Sequence, residues 1–295
     1  METGIFKSAS SILTTYDSAT PRVTAEALRD LWKQADKVST AGIAAEQREL
    51  QETAGVAIPA LREIGDAVVA AAGKRVGDFL PLARTLWDEF GREGRVVGAI
   101  LLGALGEANP DTVLPLLREA ARTSVTWEDS DRLAMDALGP VVNLKPAAGV
   151  ASLEPWLVDE NRWVRRCAVT ALGRVPMKHA EMTRRCLDLS ERLLRDQEAE
   201  VRKAVSYAIR MSARGEVAAV VGFLARHVPP TGPSGTWILC DVIRSMSRES
   251  LPSFAGMLTR YERWAKDASL SAQDRASVES AVEVLKGAAR KRGRA

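Results

Sequence analysis

The chain has 295 residues, a formal net charge of +3, 46% hydrophobic residues and only 5% aromatic ones. That length can bury a substantial core. No apolar run approaches the roughly 20 residues that span a bilayer, and the N-terminus lacks the apolar core of a signal peptide. The three scattered cysteines, Cys167, Cys186 and Cys240, do not make a disulfide framework and point to a reducing, cytoplasmic setting.

Residues 1–20 read as a flexible leader. Leu28, Leu31, Trp32 and Ala35 recur at spacings of three and four, which predicts an amphipathic helix from Pro21 to about Val38. Gly55 to Pro59 marks a turn, and Pro59 opens a helix to Ala72, since a first-turn residue needs no amide hydrogen. Asp78 is placed to cap a helix through Trp87, with Glu93–Leu105 as its partner. Pro110–Arg122 and Trp127–Val142 make the next pair. Pro155 precedes another, and Gly215, Pro229-Pro230 and Gly232-Pro233 interrupt the pattern. Helices around Trp237–Met246 and Ser253–Lys266 follow. β-branched residues nowhere alternate with polar ones over a strand's length, so the fold is expected to be all-α.

A leucine-glycine step recurs at Leu102-Gly103, Leu138-Gly139 and Leu172-Gly173, then in altered form at Ile209-Arg210. The intervals are 36, 34 and 37 residues. Such a period predicts a HEAT-like solenoid of stacked antiparallel helix pairs, in one repeat domain over residues 21–285. The basic stretch 286–295 is then a disordered tail. Seven residues before each step stand Arg95, Asp131, Arg165 and Arg202. Three of these are arginine and one is a carboxylate.

Charge is uneven along the chain. Residues 161–214 hold thirteen Arg or Lys against six Asp or Glu, the footprint of a polyanion binder or of a solvated helix face. Arg165 and Arg202 are accounted for by the repeat, whereas Arg166 and Lys203, which follow them, are surplus to it. No Cys-x-x-Cys, His-Glu-x-x-His, Gly-x-Ser-x-Gly or nucleotide-cradling glycine loop occurs, so neither a metal nor a cofactor is expected. Trp127 and Asp131 lie four apart, one turn along a helix. Each has a plain alternative: Trp127 as a core ring, Asp131 as a salt-bridge partner.

Thr126-Trp127-Glu128-Asp129-Ser130-Asp131, Asn161-Arg162-Trp163-Val164-Arg165-Arg166 and Val201-Arg202-Lys203-Ala204-Val205 resemble the DNA alkylation repair family of AlkD-like HEAT-repeat DNA glycosylases. So do Leu86-Trp87-Asp88 and the Glu93 that follows, and the likeness runs from about Gly55 to Gly215. It implies a monofunctional hydrolase that excises positively charged N3- and N7-alkylated purines from duplex DNA. By resemblance Asp131 is the catalytic carboxylate, Trp127 a ring against the lesion's sugar and Arg166 a basic group beside the backbone. Tyr207 stands where the family has a second catalytic tryptophan. Arg165, Arg166, Lys203 and Arg210 are expected to line a concave DNA-binding face. The protein is expected to act as a monomer in the cytoplasm, on the nucleoid and away from membranes. A catalytically inactive relative that binds distorted or branched DNA, or a HEAT-repeat protein scaffold, are the alternatives.

Overall fold

A computed structural model describes residues 3–35 and 49–292. Among the described residues the regular structure is helical, with no strand, and no helix is long and apolar enough to cross a membrane. The chain divides into two compact units, Met1–Leu144 and Lys145–Ala295, where the sequence predicts one domain over 21–285. Consecutive repeats need only their nearest neighbours, so each unit closes a core of its own.

The first unit contains α1 (Gly4–Leu13), α2 (Pro21–Trp32), α3 (Ile58–Ala72), α4 (Leu80–Glu89), α5 (Gly91–Ala108) and α6 (Pro110–Arg122). It ends with α7 (Trp127–Arg132), a π-helical stretch Leu133–Leu138, and α8 (Gly139–Leu144). Helix α5 packs on α3 on one side and on the π-helical stretch and α8 on the other, while α2 and α4 pair beside them. The core they enclose includes Leu61, Ile64, Leu82, Leu86, Leu101 and Leu117, all fully buried.

The second unit contains α9 (Pro146–Ser152), α10 (Arg162–Arg174), α11 (Thr183–Glu191), α12 (Ala199–Ser212), α13 (Val217–His227), α14 (Pro233–Arg244), α15 (Leu258–Ala265) and α16 (Ala272–Arg292). Here α10, α12, α14 and α16 pack in sequence, each on the next, and α11 and α13 lie against α12. The repeat period is therefore a period of helix-on-helix contact within each unit.

The recurrent glycine has a physical cause in those contacts. A Cβ on Gly103 of α5 would lie 2.1 Å from the carbonyl oxygen of Asp136, and one on Gly173 of α10 would lie 2.5 Å from the Cα of Ala208 on α12. At both positions two helix backbones approach too closely for any side chain to stand between them. The fourth step has Arg210 instead of glycine; its guanidinium reaches the Ser245 carbonyl at the end of α14, at 3.3 Å.

Several sequence expectations change. Over its described part the leader contains a helix. Helix α1 is capped by Thr3, whose hydroxyl accepts from Phe6 N at 3.3 Å and donates to Glu63 at 2.6 Å. It buries Ala9 and Leu13 and packs on α3, and Tyr16 donates to the Asp78 carbonyl at 2.9 Å. A ten-residue, serine-rich helix has little stability alone, so only its docking onto α3 makes it form. Helix α4 begins at Leu80 after a 3₁₀ stretch, and Asp78 makes no cap. The tail is helical to Arg292, because Val278, Ala281, Leu285 and Ala288 of α16 form a buried stripe. Residues 36–38 of the first expected helix and 293–295 of the tail lie outside the described residues.

Gly103→Val and Gly173→Val are expected to destabilise the fold by about 1–3 kcal/mol or more, as overpacked contacts do. Gly222→Ala, where an added Cβ meets nothing within 4 Å, should be neutral or stabilise by up to about 1 kcal/mol. Urea denaturation of the three variants checks this, and equal midpoints for all three would remove the close-approach explanation.

Candidate nucleic-acid interface

Helix α7 presents the first group of candidate residues. Its N-terminus is set by a capping box: Thr126 Oγ1 accepts from Asp129 N at 3.3 Å, while the Asp129 carboxylate accepts from Val125 N at 3.0 Å and Thr126 N at 3.1 Å. Asp129 also receives the Nη1 of Arg95 on α5 and Gln51 Nε2, the latter at 3.0 Å. Arg95 spends its other nitrogens on the carbonyls of Trp87 and Thr123 and stacks over the Trp87 ring at 5.4 Å.

A second buried pair lies beside the first. Arg92 makes a bidentate pair with Glu128 at 2.9 and 3.0 Å and donates to the Val56 carbonyl at 3.0 Å. Burial opposes the Arg92 charge, but the hydrogen bond and Coulomb attraction of Glu128, joined by Glu93, outweigh it and raise the guanidinium pKa further. Glu93 in turn accepts from Thr53 Oγ1 at 2.9 Å, Ala54 N at 3.1 Å and Val56 N at 3.2 Å. The segment from Gln51 to Val56, α5 and α7 are thus tied together by charges that water barely reaches.

This clamp orients what α7 leaves outside. Trp127 is 43% exposed, whereas Trp32, Trp87, Trp156, Trp163 and Trp264 are all buried. The core-ring alternative for Trp127 is therefore excluded. Asp131, one turn on, is half-buried. Directly after α7 the helix widens into the π-helical stretch Leu133–Leu138, where the sequence predicts regular α-helix; such turns insert a residue and re-aim the side chains around them. Asp136 in that stretch pairs with Arg62 of α3 at 2.5 Å and with Arg132 at 3.5 Å.

The remaining candidates belong to the second unit. Arg165 is bound to Asp196 at 2.7 and 3.2 Å and to the carbonyls of Asp159 and Glu160 at 2.8 and 2.9 Å. Each of its nitrogens makes at least one bond inside the fold, which ties the guanidinium to Asp196 and the loop carbonyls. Arg166 is also internal: its side chain is 7% exposed, and Nη1 donates to the Glu200 carbonyl at 2.6 Å and to the Glu200 carboxylate at 3.2 Å. The surplus arginine of the sequence is a tie between α10 and α12, not a surface cation. Lys203 is exposed but holds Glu200 at 2.6 Å. Tyr207 is half-buried, with its hydroxyl accepting from Arg174 at 3.2 Å. Arg210 is half-buried against α14.

Carboxylates on neighbouring helices offset part of the positive charge over 161–214. Arg162 pairs with Glu198, Arg184 with Glu216, and Arg185 and Arg192 with Glu154. Two of those acids, Glu154 and Glu216, fall outside the counted window.

The profile of the DNA alkylation repair enzyme family matches residues 27–234, well over half of the chain. The chain belongs to the DNA alkylation repair enzyme family. AlkD2 from Streptococcus mutans is a solved structure with a similar fold, at 13% identity and a TM-score of 0.57, covering 77% of this chain and 99% of AlkD2. Two engineered proteins also align along 97% of the chain, at 17% and 13% identity, but TM-scores of 0.34 and 0.35 are too low to define a shared fold. No curated protein matches the chain. Within the family match, the sequence reading had singled out Trp127 and Asp131 but missed Arg92, Glu128, Asp129 and Gln51. The available signal was the spacing: Arg92 and Glu128 are 36 residues apart, the repeat interval itself.

Asp129→Ala leaves Arg95 buried without its carboxylate and is expected to cost about 3–5 kcal/mol. Arg166→Ala should cost about 1–3 kcal/mol by stranding its acceptors, while Lys203→Ala should stay within about 0.5 kcal/mol. Denaturant midpoints decide the order, and an Arg166→Ala protein as stable as wild type would contradict the buried role.

Proposed function

We propose that the protein is a monofunctional DNA glycosylase that removes positively charged N3- and N7-alkylated purines from duplex DNA. The observation that supports this most is the pairing of an exposed Trp127 with a half-buried Asp131 on one turn of α7, in a chain of the DNA alkylation repair enzyme family. A single exposed ring is ordinary on its own; what supports the reading is its place one turn from Asp131, on a helix whose first turn is fixed by the buried ion pairs of Arg95 with Asp129 and Arg92 with Glu128.

The chemistry suits those two groups. An alkylated purine already bears a positive charge and leaves without a general acid. The cost is the cation that develops on the deoxyribose as the bond from C1′ breaks. A carboxylate fixed near that carbon stabilises the cation by its charge and orients the attacking water, in a site where solvent screens it weakly. The face of Trp127 adds cation–π attraction, worth about 0.5–2 kcal/mol according to desolvation. Tyr207 and Arg166 contribute less directly in this reading, Arg166 as a brace for α12. A second reading, binding without excision, is favoured by Tyr207, which stands where the family resemblance expects a second catalytic tryptophan and whose hydroxyl is held by Arg174 at 3.2 Å.

Asp131→Asn keeps the shape and removes the charge. Single-turnover release of methylated purines from duplex DNA should fall by at least about a hundredfold, which is the scale of losing one electrostatic stabiliser. Duplex affinity should hold or rise, because the carboxylate opposes phosphates until the sugar becomes positive. Chromatography of released bases, with affinity measured in parallel, separates the readings. Excision unchanged in Asp131→Asn removes the catalytic assignment, and no excision by wild type on any alkylated duplex favours the binding protein.

A further inference from the structure

Across the end of the family match, the second unit has a cavity of about 590 Å³ that no part of the reading above uses. Val228 and Pro229, just after α13, form one side, and Gly256 and α15 form the other. Arg260, Arg263 and Lys266 line it, spaced three apart and so on one face of α15, against a single carboxylate, Asp267. Trp264 lines it too but is 4% exposed, so it offers an apolar wall and no free ring face.

Cations at a helix C-terminus usually just offset its dipole. Here that task is already done by another residue. Arg275 of α16 donates to the Ala265 carbonyl at 2.6 Å and to the Asp267 carbonyl at 2.9 Å. One oxygen of the Asp267 carboxylate, Oδ1, accepts from Ser269, whose N–H lies at 2.9 Å and whose hydroxyl lies at 2.8 Å. Arg260 is positioned by a bond to the Val228 carbonyl at 3.0 Å. Among the described residues neither Arg263 nor Lys266 has an assigned acceptor, in contrast to Arg165, Arg166 and Lys203, which are engaged internally. The cavity thus keeps three cations around a space against one carboxylate, and among the described residues that carboxylate makes no ion pair with any of the three.

We infer that this cavity is a docking point for a phosphodiester of duplex DNA, its cations contributed by residues after the family match and its contact independent of base identity. Three guanidinium and ammonium groups suit phosphate oxygens, and the buried Trp264 leaves no surface on which a base could stack, so contact is to the backbone. The inference rests on the duplex-DNA part of the reading above and not on excision.

The test uses the full chain and two separate variants. Arg263→Ala/Lys266→Ala removes two cations. Gly256→Glu adds a carboxylate where a Cβ meets nothing within 4 Å, so it deletes no existing contact. Affinity for an unmodified duplex is read by anisotropy across a salt series. The double variant should bind roughly tenfold more weakly near physiological salt, with a log–log salt slope smaller by about one to two units. Gly256→Glu should also weaken binding, with an unchanged melting temperature. Unaltered affinity and slope in both variants, or a wild-type chain without affinity for duplex DNA, overturns the proposal. So does a melting temperature that inorganic phosphate raises in wild type alone while DNA affinity is the same in all three, since the site would then take free phosphate. Wild-type excision is scored alongside. Salt-dependent binding that the variants lose, with no base released, keeps this docking point and discards the glycosylase chemistry.

Discussion

An arginine near the start of one helix, bound to an aspartate at the start of a helix one repeat later, is the contact on which the rest of each unit depends. Arg95 meets Asp129 in the first unit, and Arg165 meets Asp196 in the second. In both cases the aspartate also accepts backbone N–H groups where its own helix begins, from Val125 and Thr126 in one and from Glu198 in the other. One carboxylate therefore does two things: it satisfies orphan donors at a helix start and fixes that helix against the preceding repeat. Buried pairs of this kind add little net stability compared with an apolar replacement, but they specify one register, since a slipped helix leaves a charge unpaired.

The ladder also shows where the repeat ends. Arg202 occupies the same repeat position, yet the loop one period on reads Pro229-Pro230-Thr231-Gly232-Pro233 and offers no acid. Arg202 Nε is buried without a partner. At position 131 the arginine is itself replaced by a carboxylate, which cannot donate and so cannot supply a rung. That position lies one turn from the exposed ring of Trp127, and the π-helical stretch that follows begins two residues later. The irregular helix, the missing rung and the exposed ring coincide in a few residues of an otherwise regular repeat.

Electrostatics follows the same division. Most of the arginines that crowd residues 161–214 serve the interior or pair with acids on neighbouring helices, so their charge is largely spent before any ligand arrives. Arg260, Arg263 and Lys266, on α15 and at its C-terminal end, stand together after the family match has ended. For a protein that meets a polyanion, counting basic residues along the sequence overestimates the usable charge, because a buried guanidinium bound on every side contributes little field outside.

Much of the fold was legible in the residues alone. Period, helix-opening prolines and the Leu-Gly step determine an all-α repeat, because each records a local requirement: an amide without a partner, or a backbone crossing that admits no side chain. The period is also the spacing at which side chains meet, since Arg92 with Glu128 and Trp87 with Thr123 lie one interval apart, although the sequence alone does not pick out those pairs. The sequence likewise singled out Trp127 and Asp131, as an aromatic and a reversed charge in the repeat. Exposure was decided by tertiary structure. Trp127 and Trp163 both stand at the start of a helix in similar sequence contexts, yet one faces water and the other is buried. Arg166 and Lys203 both follow a repeat arginine, and only the lysine reaches the surface. Identity and spacing say which groups a helix can offer, but whether a group is free depends on what the next helix brings to it. That is a property of packing between segments some thirty residues apart, and no local pattern encodes it.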